Sequence, residues 1–315
     1  MRIAVFGAGA VGGYFGARLA ELGEDVAFVA RGEHLRAIRE HGLAVSSPQG
    51  DFIVHPAMAV DRPTDIGSVD VVLLAVKAWQ VPEAARAMAP LLERGTFVVP
   101  LQNGVDAPGQ LTEVLGAERV LGGLCRILAY VVEPGHIKHV GGEPYIAFGE
   151  LDRRPSKRSE GLRTIFSRAR GLTVEIPADI HTALWTKFLF IAAASGVGAV
   201  TRASFGVLRS QPETRKMLKQ ALEEVQALAT ARSVRLSADV VEQTIEMIDQ
   251  LPANGTTSMH RDIVAGRPSE LFTQSGTVVR LGNQMGVPVP LHTFIYSSLL
   301  LLELRARGEL HFNDQ

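Results

Sequence analysis

Three glycines stand at spacings suited to phosphate binding. Gly7-Ala8-Gly9-Ala10-Val11-Gly12 forms a G-x-G-x-x-G run between a strand-like segment, Met1 to Phe6, and a helix-like segment, Gly13 to Leu22. In such a unit the first glycine permits a sharp turn off the strand. The second leaves room for a pyrophosphate, and the third lets the helix pack closely on the strand. Ala8, Ala10 and Val11 complete the turn, and the free N–H groups and dipole of the helix start favour an anion there. The pattern points to a dinucleotide; the alternative is a glycine-rich turn without a ligand.

The end of the next strand-like run, Asp25 to Ala30, selects between dinucleotides. NAD binders place a carboxylate there for the ribose hydroxyls, whereas this chain continues Ala30-Arg31-Gly32. A guanidinium can grip a 2′-phosphate and stack on adenine, so Arg31 points to NADP(H). The alternative leaves Arg31 as a solvated charge and gives the ribose to Glu33.

Three further segments stand where the cleft beyond the carboxyl ends of the strands is expected. Lys77 directly follows the apolar run Val69 to Val76, Asn103 lies in Leu101-Gln102-Asn103-Gly104-Val105, and Lys187 is embedded in Leu184 to Phe190. Each residue also has a plainer reading: a loop charge for Lys77, a turn amide for Asn103, and a lysine snorkelling beside a buried helix face for Lys187.

The elements that must hold these groups alternate between strand-like and helix-like segments through the first half. The expected class is α/β, an N-terminal Rossmann-type doubly wound sheet followed by an all-α C-terminal domain. Strands are expected at Gly42–Ser46, Asp51–Ala57, Thr96–Leu101, Val120–Val132, Gly135–Val140, Tyr145–Phe148 and Thr173–Ile176, the later ones closing the sheet. Helices are expected from Pro212 with Leu218, Leu222, Val225 and Ala229 inward, after a Ser237 cap, over Ser269–Met285 and over Leu291–Arg307. The boundary is placed near Pro177, giving an NADP-binding domain over 1–177 and a helical substrate domain over 178–315.

Taken together and in order, Gly7–Gly12, Val76-Lys77-Ala78-Trp79-Gln80, Gln102-Asn103-Gly104-Val105, Leu184-Trp185-Thr186-Lys187, Ser258-Met259-His260-Arg261-Asp262-Ile263 and the later Glu270 resemble the ketopantoate reductase (2-dehydropantoate 2-reductase) family over nearly the whole chain. The resemblance implies NADPH-dependent reduction of 2-dehydropantoate to (R)-pantoate, a step of pantothenate biosynthesis. It also implies Lys187 as general acid and Glu270 as its carboxylate partner at a helix start. Lys77, Asn103, Glu270 and the backbone of Ala129 would lie at the cofactor, and Asn103, Lys187 and Ser258 at the substrate, with the positions of Ile191 and Ser195. The plainer reading of Ser258 is a helix cap.

The chain departs from the family where Ile191 and Ser195 stand in place of substrate-binding asparagines. Both share a helical face with Lys187. Another expected asparagine falls at Phe205, and Asn254 is displaced by one residue. Apolar groups in place of amides remove a preference for a hydroxylated substrate. A paralogous reductase of a bulkier 2-oxo acid is therefore the alternative enzyme, and a non-catalytic NADP(H) sensor the alternative of another class.

Composition narrows the partners. A formal net charge of −1 gives no electrostatic reason to expect nucleic acid or an anionic membrane. The single cysteine, Cys125, excludes an internal disulfide, and the scattered histidines show no metal-ligand spacing, so no metal is expected. The uncharged stretch Phe188 to Val200 is too short to span a bilayer. A cytoplasmic protein is expected, with a 2-oxo acid as its small-molecule partner and a possible homodimer through the helical domain.

Overall fold

The computed structural model describes residues 1–56 and 58–311. The described chain divides into two units. The first comprises Met1–Gln102 and Ala107–His181, the second Asn103–Asp106 and Thr182–Gln315. The division falls four residues beyond Pro177, and the segment Asn103–Asp106 belongs with the helical unit.

The first unit begins β1(Arg2–Phe6), α1(Ala10–Glu21), β2(Asp25–Val29), α2(Gly32–His41), β3(Leu43–Ser46), β4(Phe52–Val54), β5(Met58–Val60), β6(Val71–Leu74), α3(Val81–Ala87), β7(Phe97–Pro100) and α4(Ala107–Leu115). The strand expected over Asp51–Ala57 is thus only Phe52–Val54, and its end at Ala57 lies outside the described residues. Strands β5-β2-β1-β6-β7 form a parallel sheet in that order. Every residue of β6 and β7 is buried, as befits strands covered on both faces.

The later strands do not close this sheet. β8(Leu121–Glu133), β9(His136–Glu150) and β10(Thr173–Glu175), with α5(Lys157–Phe166) between the last two, join β3 and β4 in a second sheet of order β10-β9-β3-β4, with β8 antiparallel to β9. A single parallel bridge from Val98 to Val120 joins β7 to the residue before β8 among the described residues. The two short strands expected at Gly135–Val140 and Tyr145–Phe148 are one strand, β9. It runs through Gly141 and Gly142, both at positive φ, beside a register shift in the β8 pairing. Glycines there absorb an irregularity that reads, in sequence, as a break.

The second unit contains α6(Ile180–Thr201) from its third residue on, then α7(Phe205–Ser210), α8(Pro212–Ala231), α9(Val240–Gln250), α10(Ser258–Val264), α11(Ser275–Met285) and α12(Pro290–Ala306). Leu218, Leu222, Val225 and Ala229 of α8 are all buried, as their spacing requires. Ser237 does not cap α9; Asp239 occupies that place, and the Ser237 hydroxyl instead donates to the Asp239 carboxylate. Phe188–Val200 is part of a 22-residue helix, so α6 is long and apolar enough to cross a membrane after all. Yet 67% of its most apolar window is buried inside the protein, and Phe188, Leu189, Ala192, Ala193 and Val197 sit in the core of the helical unit.

Candidate active site

The glycine turn occupies the carboxyl end of β1. Gly7 adopts φ +102°, and a side chain on it would come within 3.0 Å of the Ala75 backbone. A Cβ on Gly12 would lie 2.1 Å from the Gly7 carbonyl oxygen and 2.9 Å from Ala75 Cβ, so only glycine lets α1 approach β1 and β6 this closely. A Cβ on Gly9 would meet nothing within 4 Å. Gly9 is therefore not required by packing, and its missing side chain leaves open space in front of the turn. Gly9 is also the N-cap of α1, with no side-chain cap and no acidic residue in the first turn. The first-turn N–H groups thus keep their capacity for an outside acceptor. This donor set fits the pyrophosphate of a dinucleotide.

Arg31 stands exposed where β2 leads into α2, also at the carboxyl edge of the sheet. Lys77 lies just past β6, exposed, with its Nζ 5.7 Å from the centre of the Trp79 ring. Gln102, not singled out by its sequence pattern, is buried past β7. Its Nε2 donates to the carbonyls of Leu74 (2.9 Å) and Val76 (3.0 Å), bracing the end of β6 before Lys77. Ala129 is half-buried on β8 beside a register shift and opposite His139.

In the helical unit the structure brings Asn103 and Glu270 together, 167 positions apart. Asn103 Nδ2 donates to Glu270 Oε2 at 3.0 Å, and Gln274 Nε2 donates to the same oxygen at 3.2 Å. A carboxylate only accepts, so the Asn103 amide nitrogen faces it and its oxygen faces away. Glu270 is 6% exposed and Gln274 fully buried. Asn103–Asp106 is tied down further where Asp106 accepts from Thr277 Oγ1 (2.7 Å) and pairs with Arg280 (2.7 Å).

Glu270 is not at a helix start. It lies in a turn, five residues before α11. Ser269, which suggests a cap, is held from α12 instead. Its N–H donates to Glu303 Oε1 (3.0 Å), its hydroxyl to Glu303 Oε2 (2.5 Å), and its carbonyl accepts from Arg307 (3.0 Å). The helix dipole therefore does not hold Glu270; side-chain amides and an anchored neighbour do. Glu303 escaped the sequence reading, though its position four residues after buried Leu299 is the available signal.

Lys187, Ile191 and Ser195 follow one another on one face of α6. Lys187 is half-buried, Ile191 packs partly against the core, and Ser195 is fully buried, its hydroxyl having no hydrogen-bond partner among the described residues. Ser258 is the first residue of α10, half-buried; the cap is Thr257, whose hydroxyl accepts from His260 N–H. Phe205 is a core residue, its ring 6.4 Å from that of Phe190, and Asn254 is exposed.

A family model for ketopantoate reductase PanE/ApbA matches residues 3–153, and the model for its C-terminal part matches residues 179–303. A 2-dehydropantoate 2-reductase of Mesorhizobium japonicum is 31% identical over 311 residues, covering 92% of this chain and 94% of the relative. YkpB of Bacillus subtilis, named an uncharacterized oxidoreductase, is 27% identical over 303 residues, 96% of this chain and 99% of the relative. Among solved structures, a PanE/ApbA family ketopantoate reductase from Ralstonia eutropha superposes with a TM-score of 0.89 at 30% identity, covering 98% of this chain and 100% of that one. The protein is an oxidoreductase acting on CH–OH groups. Sequence, fold and glycine turn agree with these matches: the chain belongs to the ketopantoate reductase family.

Proposed function

We propose that the protein reduces 2-dehydropantoate to (R)-pantoate with NADPH, the reduction that serves pantothenate synthesis. The observation that carries this reading is the buried Glu270 carboxylate held by two amides, Asn103 and Gln274. It is a fixed anion of the kind a catalytic ammonium needs as partner. The first-turn N–H groups of α1 receive the pyrophosphate, and Arg31 grips the 2′-phosphate. When bound, the nicotinamide supplies the hydride. Lys187 faces the oxygen on which negative charge develops and gives it a proton from Nζ, while Glu270 offsets the cost of desolvating that ammonium. Asn103, with its nitrogen committed to Glu270, offers its carbonyl oxygen as an acceptor. Ser258 offers a hydroxyl to the substrate.

A second reading keeps the chemistry and changes the substrate to a bulkier, more apolar 2-oxo acid. It is favoured by Ile191 on the Lys187 face and by Phe205, whose ring is spent in the core. Comparing kcat/KM for 2-dehydropantoate with that for 2-oxo acids bearing larger apolar side chains decides between them. A maximum at 2-dehydropantoate supports the first. A preference of about tenfold or more for a bulkier acid, equivalent to roughly 1.4 kcal/mol, supports the second.

A further inference from the structure

The His34 ring, on α2, bridges two loops far apart in sequence. Its Nε2 lies 2.7 Å from the carbonyl oxygen of Ala8 in the glycine turn, and its Nδ1 lies 3.0 Å from the backbone nitrogen of Gly135 in the β8–β9 turn. A backbone N–H can only donate, so Nδ1 accepts and the ring proton is on Nε2, which donates to Ala8. The bridge therefore needs the neutral imidazole in a single tautomer.

The Ala8 carbonyl and the Gly9 N–H belong to one planar peptide unit, pointing in opposite directions. Fixing one fixes the other. This unit turns about ψ of Ala8 and φ of Gly9, and Gly9, which has no side chain, adds little steric resistance to that rotation. The Gly9 N–H has no acceptor among the described residues. Gly135 is itself a firm anchor: it is buried, its carbonyl accepts from Ala44 N–H at 2.8 Å, and Ala37 of α2 packs against its Cα.

We propose that His34 is a positioning residue for the dinucleotide: it locks the Ala8–Gly9 peptide so that the Gly9 N–H is aimed at the pyrophosphate before the cofactor arrives. This rests on the reading of the glycine turn as the cofactor site. A locked peptide spares the binding step the ordering of that unit and the choice between two orientations. Without His34 the turn still folds, because Gly7 and Ala8 N–H both donate to the Val29 carbonyl at 3.1 Å, but the peptide is free to rotate.

The test is the dissociation constant of NADPH, read by quenching of protein fluorescence, for the wild type, His34→Leu and His34→Gln, with thermal midpoints alongside. Glutamine can offer both a donor and an acceptor. The expected result is a dissociation constant raised about tenfold in His34→Leu, the worth of one well-placed hydrogen bond, and mostly restored in His34→Gln, with similar midpoints in all three. Equal affinity in wild type and His34→Leu overturns the proposal. So does equal weakening in both variants, which marks a merely structural role. Nitrogen-15 shifts of the His34 ring give a check that needs no variant: a protonated Nε2 and bare Nδ1 support the bridge, and the opposite tautomer overturns it. Failure of the wild type to bind NADPH or NADH removes the cofactor reading itself, and the proposal with it.

Discussion

At the scale of single residues, two glycines of one motif separate packing from binding. Gly12→Ala drives a methyl to 2.1 Å from the Gly7 carbonyl oxygen. We expect it to cost about 1–3 kcal/mol in chemical unfolding, the usual penalty for overpacking. Gly9→Ala meets no atom within 4 Å. We expect an unchanged unfolding midpoint and an NADPH dissociation constant raised about tenfold or more by the blocked approach, measured by titration. Equal stability losses in the two variants would contradict this division. Arg31→Ala is expected to weaken NADPH by roughly tenfold to a hundredfold, the worth of charge-assisted hydrogen bonds to a phosphate, while leaving NADH affinity near its starting value. The glycine turn, and the exposed place of Arg31 after β2, were legible because a short stretch of chain specifies them. His34, Gln102 and Gln274 were not, because their partners lie elsewhere in the chain or are backbone atoms whose positions only the fold sets.

At the scale of elements, the start of α12 in the helical unit is closed by a carboxylate from another helix. Glu224, on α8, accepts from the backbone N–H of Leu291 (2.8 Å) and His292 (3.0 Å) and from His292 Nδ1 (2.8 Å), capping α12. Burial pushes its carboxyl up, but these hydrogen bonds outweigh that and hold it below the usual glutamate range. A carboxyl depressed in the folded state stabilises fully above its unfolded value, and this contribution is lost as pH falls through the folded value. The Glu224 contribution should therefore fade below about pH 4.5. Glu224→Gln is expected to lower stability near neutral pH by about 1–3 kcal/mol and to flatten the acid limb of stability against pH. An unchanged acid limb would exclude this cap. The alternation of strands and helices was legible from apolar periodicity. The second sheet was not, because β3 pairs with a strand about ninety residues on, and no local pattern states that choice. The false helix start at Ser269 has a similar origin: its hydroxyl donates to Glu303 and accepts from Leu271 N–H in a short turn, without starting a helix there.

At the scale of the molecule, each unit carries its own share of the residues proposed for the reduction. The glycine turn, Arg31, Lys77 and His34 come from the first, and Asn103, Lys187, Ser258 and Glu270 from the second. The apolar length of α6 is explained by the core it fills rather than by a lipid phase. Lys187 is a half-buried charge on that helix, and its proposed role is the central claim. The most direct measurement is NADPH oxidation with 2-dehydropantoate by the wild type and by Lys187→Ala, with NADPH affinity measured for both. The account expects a wild-type kcat/KM of about 10⁴ M⁻¹s⁻¹ or more, a kcat lower by roughly 10²–10⁴ in the variant, and unchanged NADPH binding. Full turnover in Lys187→Ala, or tight NADPH binding by a wild type that reduces no 2-oxo acid, would contradict it.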